Sequence, residues 1–536
     1  MASVHFWTLT VHFRTLPSTN HFSFSISYAF GISFATIKGK QLSVMKRRTF
    51  LGALLWAWVL MGHAEGNTLR MSLDECILLA RRQSVDAAVA LGELKSAYWE
   101  WRSYKANLLP EVSLSADVPT YNKRYSTYQK EDGTHSYVRN DYMELDGSLY
   151  VSQKILPTGG TLSVESSLNW MRQMSGDISG GRNQFMSMPV ALTLSQPLFG
   201  VNTVKWDRRI EPIRYKEAKA SFLTETEQVA MRAISLFFNL LLANENVNIV
   251  EQNLQNAEKL YEVALAKREM GTISQNDVLQ MRLNMLNAQS ALTNAESSQK
   301  ARMFELKAFL DVESDIEPVV PEEIPEVVLL YEEVLEKALA NNAFANRMRR
   351  RQLEADYSVA YAKGNRRSVT LYAQVGYTGT DRTLNDAYRN LSSKQVVQVG
   401  VSLPLLDWGK RRGQLKVAES NREIVRNQLR QQSQEFRQNL FILTEQFNNQ
   451  RQQLRIAEEA DTIARRRYHT NVETFKIGSI STLELSDAQT AKDEARQNRI
   501  SQLFNYWYYY YQLRSITLWD FENNRNINAD FEKIVK

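Results

Sequence analysis

Residues 264–279 read ALAKREMGTISQNDVL, and residues 471–486, which lie 207 positions further on (478 − 271), read NVETFKIGSISTLELS. Both stretches carry a glycine, an isoleucine and a serine at the same relative positions: Gly271, Ile273 and Ser274, then Gly478, Ile480 and Ser481. Glycine readily takes the left-handed conformation that ends a helix, and serine caps the helix that follows. The stretch therefore predicts a helical hairpin that occurs twice, and this internal duplication decides the fold.

The duplication extends over most of the chain. Gln196-Pro197-Leu198 and Leu403-Pro404-Leu405 share the same spacing. Each copy is predicted as an opening helix, strands, and a long helix that returns through the glycine turn. The first repeat covers residues 67–320, with its opening helix at 72–108, strands within 111–196 and a helical hairpin at 205–310. The second covers residues 321–520, with its opening helix at 331–363, strands within 368–404 and a hairpin at 410–518, and a tail follows at 521–536.

The strands alternate apolar and polar residues. Val112, Leu114 and Ala116 alternate with Ser113 and Ser115, as expected for a strand with one apolar face. A soluble sandwich would show the same alternation, but segments of about 9–11 residues fit tilted strands that cross a bilayer as a closed barrel. Residues 121–142 and 378–394 are expected to be long external loops. Two further alternating segments, at 145–151 and 162–170, leave the number of strands open.

The N-terminal region has the pattern of a secretory signal peptide. Met45-Lys46-Arg47-Arg48 is basic, residues 50–61 are apolar, and residues 62–64 end in a small-x-small cleavage pattern. The general secretory route is favoured over the twin-arginine route. We therefore predict a signal peptide at 45–64, with residues 1–44 as a spurious extension before a start at Met45.

The composition argues against several other classes of function. The chain has 536 residues, a net charge of +6 that is scattered along the helices, six histidines and a single cysteine, Cys76, which is expected in the core. The basic clusters do not form a nucleic-acid footprint. The sequence has no metal-binding spacing, phosphate-binding loop or nucleophile elbow, so no cofactor, metal, nucleic acid or catalysis is expected.

Several features in fixed order resemble the TolC family of outer-membrane efflux proteins over about residues 67–520: the two glycine turns, the strand ends at Gln196-Pro197-Leu198, and the duplicated element order. The resemblance implies an α+β membrane protein. It would be a homotrimer whose strands form one outer-membrane β-barrel in contact with lipid, and whose helices continue it as a hollow α-helical barrel across the periplasm. It also implies a passive exit duct for efflux or type I secretion. Its partners would be a periplasmic adaptor protein and an inner-membrane transporter of the RND, ABC or MFS type.

The resemblance further implies two kinds of functional residue. The hairpin tips would form the periplasmic entrance and contact the adaptor, through Lys267, Gly271, Thr272, Ile273 and Ser274, and through Lys476, Gly478, Ser479, Ile480 and Ser481. An acidic constriction would involve Glu484 and Asp487, with Asp277 at the position that matches Glu484 in the first repeat. In the alternative interpretation, the tip residues only turn the chain and the acids are ordinary surface charges.

Two other classes compete with the duct. A periplasmic adaptor protein is also rich in coiled coil and strand, and a soluble coiled-coil scaffold is the third possibility. Adaptors have one helical hairpin, whereas this chain has two copies of helix, strands and hairpin, so the duplication favours the duct. An aromatic run at Tyr506–Tyr511 is expected to pack between helices. The sequence does not identify the cargo or the pump.

Overall fold

The computed structural model describes residues 68–117, 119–174, 182–321, 324–325, 327–366, 368–402, 406–477 and 479–535. The predicted signal peptide and the extension before it lie outside the described residues. So do Gly478 and the strand end at Leu403-Pro404-Leu405.

The described chain contains ten helices and eleven strands. The helices are α1 Leu73–Gln83, α2 Val85–Ala106, α3 Thr203–Glu269, α4 Gln275–Leu310, α5 Tyr331–Asn341, α6 Ala343–Gly364, α7 Leu384–Arg389, α8 Lys410–Lys476, α9 Thr482–Thr517 and α10 Phe531–Val535. The strands are β1 Leu69–Met71, β2 Glu111–Ala116, β3 Thr120–Gln129, β4 His135–Lys154, β5 Thr161–Gln173, β6 Arg182–Pro197, β7 Ile316–Pro318, β8 Ser368–Asp381, β9 Leu391–Ser402, β10 Trp519–Asp520 and β11 Arg525–Asn526.

The long helices come in two pairs of equal size. Helices α3 and α8 have 67 residues each, and α4 and α9 have 36 residues each. At 1.5 Å per residue these lengths correspond to roughly 100 Å and 54 Å. Helix α4 packs on α3, and α9 packs on both α8 and α3. The two hairpins are therefore side by side, joined through α3 and α9.

Each opening helix is broken, which corrects the prediction of one continuous helix at 72–108 and another at 331–363. Ser84 and Asn342 adopt extended backbone conformations between two helices. The Ser84 hydroxyl accepts a hydrogen bond from the Ala87 N–H at 3.2 Å, and the Asn342 side chain accepts one from the Phe344 N–H at 2.8 Å. Serine and asparagine side chains compete for backbone N–H groups in this way, so each ends one helix and caps the next.

The predicted external loops contain regular structure, which is a second correction. Most of residues 121–142 belongs to β3 and β4, which pair antiparallel from Thr120 with Glu144 to Gln129 with His135. Residues 378–394 contain the end of β8, helix α7 and the start of β9. Tyrosine and threonine are abundant in the first segment and favour strands, so its polarity reflects exposure of a hairpin rather than lack of structure.

Seven strands form one antiparallel sheet in the order β2-β4-β5-β6-β8-β9, and β3 also pairs with β4. Strand β2 pairs with residues 147–152 of β4, and β3 pairs with residues 135–144 of the same strand. Together β2 and β3 therefore occupy one edge of the sheet, and β9 occupies the other. The alternating segments at 145–151 and 162–170 lie within β4 and β5, so they are members of this sheet.

The main hydrophobic core lies where the opening helices meet the middle of the long ones. Its largest fully buried side chains are aromatic: Phe237, Phe238, Phe447, Tyr506 and Tyr510. This confirms the packing role predicted for the aromatic run, and Cys76 is fully buried in the same cluster, as predicted. By length and composition α3 could cross a membrane. Because part of its apolar surface packs in this core, packing explains that apolar character.

Candidate functional site at the hairpin tips

The first hairpin turns at Gly271. Its φ of 72° is the left-handed conformation predicted from the sequence. Around it, the Thr272 N–H donates to the Lys267 carbonyl oxygen at 2.9 Å, and the Thr272 hydroxyl donates to the same oxygen at 2.8 Å. These bonds pair a carbonyl that the end of α3 would otherwise leave without a partner. Thr272 therefore fixes the turn as well as lying at its exposed surface.

Ser274 caps the helix that follows, in a reciprocal arrangement with Asp277. The Ser274 hydroxyl donates to Asp277 Oδ2 at 2.7 Å and accepts from the Asp277 N–H at 3.2 Å, while the Ser274 N–H donates to the same carboxylate at 3.0 Å. The hydrogen bonds from Ser274 hold the pKa of Asp277 below its usual value. Asp277 is thus a capping residue at the start of α4.

The second tip repeats this cap. The Ser481 N–H donates to Glu484 Oε2 at 2.8 Å, the Ser481 hydroxyl donates to the same oxygen at 3.1 Å, and the Glu484 N–H donates back at 3.2 Å. The backbone bond from Ser481, followed by the hydroxyl bond, lowers the pKa of Glu484. The Ser479 N–H donates to the Thr474 carbonyl at 3.1 Å, which matches the turn made by Thr272. The glycine of this turn and the side chain of Lys476 lie outside what is described.

Two further predicted tip residues contact other side chains of the protein. Ile273 packs on a small cluster of buried residues between α3 and α4 that includes Ala264, Val278 and Met281. The Lys267 ammonium lies 5.6 Å from the centre of the Phe475 ring on the second hairpin, a distance suited to a cation–π contact. Ile273 therefore stabilises its own hairpin, and Lys267 joins the two tips.

Three exposed apolar side chains at the tips were missed by the sequence reasoning. Met270 is 69% exposed, Ile477 is 78% exposed and Leu483 is 78% exposed. They flank the two turns, one before Gly271 and two around the second turn. A sequence signal exists for two of them, since Met270 and Ile477 directly precede the two glycines. Leu483, in the first turn of α9, carries no such signal. Apolar side chains grouped at one end of a protein mark a surface for a partner.

Asp487 has a partner in its own chain. Its carboxylate lies 2.6 Å from Arg467 Nη2 on α8, with both side chains more than half exposed. An exposed ion pair of this kind contributes about 0.2–1 kcal/mol and is screened by salt. Since Asp487 pairs with an arginine, the net charge at this position is smaller than two unpaired carboxylates would give. Glu484 keeps its charge, because the bonds from Ser481 favour the ionised form.

Above the tips, polar side chains connect the two hairpins. Asn253 on α3 donates to Asp493 on α9 at 2.7 Å, and Asn256 on α3 donates to the Tyr468 hydroxyl on α8 at 3.0 Å. Burial raises the pKa of Tyr468, and the Lys492 ammonium lies 4.5 Å from the centre of its ring. A cavity of about 300 Å³ lies between the hairpins at this level. Hydrogen bonds rather than a close-packed apolar core therefore hold this part of the two hairpins together.

The sheet has one apolar and one polar face. Register pairs connect Val112, Val151, Val164, Leu192 and Val375 in one row across five strands. Directly paired residues share a face, and these valines and leucines are half-buried or exposed. A neighbouring row on the other face consists of Ser152, Ser163, Thr193 and Gln374. Gln374 donates to the Thr193 hydroxyl at 3.2 Å in that row.

Among the residues that the structure describes, no group of three or more histidine, cysteine, aspartate or glutamate side chains could hold a metal ion. The candidate functional surfaces are the hairpin tips and the two faces of the sheet.

Comparison with known proteins matches the chain to one family. Residues 77–310 and 334–507 match the profile of the outer membrane efflux protein family. A search of curated proteins gives no match. The fold is similar to the outer membrane channel CmeC of Campylobacter jejuni, with a TM-score of 0.59 at 16% identity, over 94% of this chain and 96% of that one. It is similar to the outer membrane protein VceC of Vibrio cholerae, with a TM-score of 0.58 at 15% identity, over 85% and 97%. For the open state of the MtrE outer membrane channel of Neisseria gonorrhoeae the TM-score is 0.55 at 14% identity, over 85% and 91%.

Proposed function

Because the chain belongs to the outer membrane efflux protein family, whose members are transport channels of the outer membrane that extend into the periplasm, we propose that it is the passive exit duct of a tripartite efflux or type I secretion system. In this proposal three copies form a β-barrel continued by an α-helical barrel. Each copy contributes two repeats, residues 67–320 and 321–520. A periplasmic adaptor and an inner-membrane transporter of the RND, ABC or MFS type complete the system.

The proposal rests mainly on the sheet, which the described part of a single chain leaves with an uncovered apolar face and two unpaired edges. The apolar face of the sheet is not covered by any described part of the chain, and the sheet ends in two edges. An apolar face is stable in contact with lipid. The edge strands of a sheet in lipid have unpaired backbone groups unless the sheet closes into a barrel. Because one chain does not close, a lumen requires several copies.

The tips are the proposed adaptor surface. Met270, Ile477 and Leu483 supply exposed apolar area, and the predicted residues turn the chain so that these side chains stay at the end of each hairpin. We assign the turning role to Gly271, Thr272, Ser274, Ser479 and Ser481, and propose the same for Gly478. Ile273 and Lys267 stabilise the tips through their contacts within the chain. Ile480 is assigned to the second tip by analogy with Ile273, 207 positions earlier, and Lys476 as the basic residue two positions before Gly478.

We also propose an acidic constriction at the entrance, formed by three residues near the tips. Glu484, Asp487 and Asp277 lie within the first three turns after each tip. In a trimer they would surround the entrance, where a ring of carboxylates favours cations. The ion pair with Arg467 offsets the charge of Asp487, so we expect modest cation selectivity.

Fractionation and bilayer recording test the duct. The expected result is an outer-membrane protein that migrates as a heat-modifiable trimer and conducts ions in planar bilayers. The mature chain should begin at Glu65 if residues 45–64 are removed. A monomer that is stable without detergent would exclude the duct and favour an adaptor or a coiled-coil scaffold, neither of which needs a closed sheet.

A further inference from the structure

The two halves of the chain contribute unequally to the sheet. The second half contributes two strands, β8 and β9, whereas the first contributes four positions: the shared edge of β2 and β3, then β4, β5 and β6. The start of the first strand is offset by 257 residues between the halves (369 − 112), and the motif at the end of the last strand is offset by 207 (403 − 196). The first half thus contains about 50 extra residues (257 − 207), enough for the β4–β5 hairpin and its connections.

The extra hairpin lies within the sheet and is not an extension of an external loop. Its apolar residues Val151 and Val164 lie in the same row as Val112 and Leu192 on the outer strands. Its turn, at residues 155–160, is held against the start of α3, because Asn202 Nδ2 donates to the Leu156 and Pro157 carbonyl oxygens at 3.0 and 3.1 Å. The hairpin therefore crosses the same layer as its neighbours and turns at the helical end of the sheet.

The two edge strands of the sheet have the directions and side-chain patterns needed to pair with each other between two copies. In the described part of the chain, no strand pairs with the outer side of β2 or of β9. Strand β2 runs away from the helices and β9 runs toward them, so an edge contact between two copies would be antiparallel, like every other contact in the sheet. Both strands have alternating apolar residues, Val112 and Leu114 on β2 and Val397, Val399 and Val401 on β9, that would continue the outer face.

We propose that β9 of each copy pairs antiparallel with β2 of the next, so that three copies close a barrel of 18 strands (3 × 6). This inference rests on the proposed homotrimer and specifies its wall. At a strand spacing of about 4.8 Å and a tilt of ~40°, 18 strands give a radius of roughly 18 Å, against roughly 12 Å for the 12 strands left if β4 and β5 stood outside the wall.

Disulfide cross-linking between copies tests the edge contact. In a Cys76→Ala background, Ser113→Cys on the polar face of β2 is combined in turn with Val396→Cys, Gln398→Cys and Gly400→Cys on the same face of β9. Adding Lys394→Cys and Ser392→Cys extends the scan to the registers nearer the start of β9. We expect at least one pair to give disulfide-linked dimers and trimers after oxidation. Val397→Cys and Val399→Cys are the matched controls, because their side chains lie on the opposite face, and these should give no cross-link with Ser113→Cys.

Electron cryomicroscopy of the purified assembly gives the strand count directly. Eighteen strands with β9 beside β2 of the neighbour support the inference. A conducting trimer with 12 strands in its wall, or with none of the same-face pairs linked, overturns the inference and leaves the duct standing. A protein that forms neither trimers nor conducting channels overturns both.

Discussion

At the scale of single residues, the caps at the hairpin tips follow directly from the sequence. Ser274 with Asp277, and Ser481 with Glu484, have the spacing at which a serine and an acid exchange hydrogen bonds across the first turn of a helix. The same spacing occurs at Ser72 and Glu75, which form the cap of α1. Local hydrogen bonds of this kind depend on a few neighbouring residues, so sequence alone predicts them well.

The cap of α9 should depend on pH. The bonds from Ser481 lower the pKa of Glu484 below its ordinary value of 4.5. The cap therefore contributes its full stability above the unfolded pKa and loses it as the pH falls through the lowered folded pKa. We expect Glu484→Gln at neutral pH to mimic the acid form and to speed hydrogen exchange in the first turn of α9. Glu494→Gln, an exposed acid on the same helix, is the control and should change nothing there.

Gly271 should tolerate only residues that accept a left-handed backbone. No atom lies within 4 Å of an added Cβ, so the cost of substitution is in the backbone alone. Gly271→Val is expected to destabilise the tip by about 1–2 kcal/mol, whereas Gly271→Asn should be nearly neutral. Limited proteolysis of the tip measures the difference. Equal cleavage rates for the two variants would show that the turn does not hold this conformation in solution.

At the scale of helices and strands, the errors of sequence reasoning have a common cause. The breaks at Ser84 and Asn342 were missed because apolar residues keep helical spacing on both sides of them. At Asn342 the decisive contact is tertiary, because its side-chain amide also donates to the Ile516 carbonyl at 2.7 Å. The strands at 121–142 were missed because a polar hairpin exposed on both faces has no apolar alternation. In both cases the prediction relied on the spacing of apolar residues, which shows neither a break inside a helix nor a polar hairpin.

The packing of the first repeat against α9 depends on a buried acid. Glu227 on α3 is almost completely buried, 2.6 Å from Arg81 Nη2 and 3.4 Å from Arg514 Nε. Glu227→Gln removes the charge that faces Arg81 and one of the two that face Arg514, whose Nη1 also lies 3.5 Å from Asp520 Oδ2. We expect it to lower the free energy of unfolding by ~3–5 kcal/mol. Urea unfolding in detergent, followed by tryptophan fluorescence, is the measurement.

Glu305→Gln is the matched control for that change. Glu305 pairs with Arg302 on α4 at 2.9 Å, and both side chains are largely exposed. Its loss should cost less than about 1 kcal/mol. If the two variants unfold at the same urea concentration, the buried cluster does not stabilise the interface between α1, α3 and α9.

At the scale of the whole molecule, the length of β4 predicts which parts of the chain lie outside the cell. Its 20 residues are about twice what a strand needs to cross a bilayer. The half that pairs with β3 should therefore project beyond the membrane on the side opposite the helices, which places the turn at residues 130–134 outside and the turn at 155–160 in the periplasm.

Cysteine labelling of intact cells tests this orientation. In a Cys76→Ala background, Glu131→Cys should react with a membrane-impermeant maleimide, and Thr158→Cys should react only after the outer membrane is permeabilised. Both positions are exposed in the structure, so a difference between them reports sidedness. Equal labelling of both in intact cells would contradict the orientation.

The duplicated architecture was the most predictable property of the chain, because it is recorded in the repeated spacing of residues such as Gly271 and Gly478. The family was predicted from that order and is confirmed by the comparisons. The exposed apolar residues at the tips were not predicted. Whether a side chain such as Leu483 is buried depends on which neighbours reach it, and sequence spacing does not fix that.

The unequal halves of the sheet have an electrical consequence. Suppose that six strands per copy surround the upper section of the duct and that helices α3, α4, α8 and α9 line the lower section. Ions then cross the two sections one after the other, so their electrical resistances add. The narrower section has the larger resistance and therefore determines the current. If the acidic constriction proposed near Asp487 is the narrowest point, removing or widening the outer section leaves the measured current nearly constant, whereas a change of one side chain near Asp487 alters it.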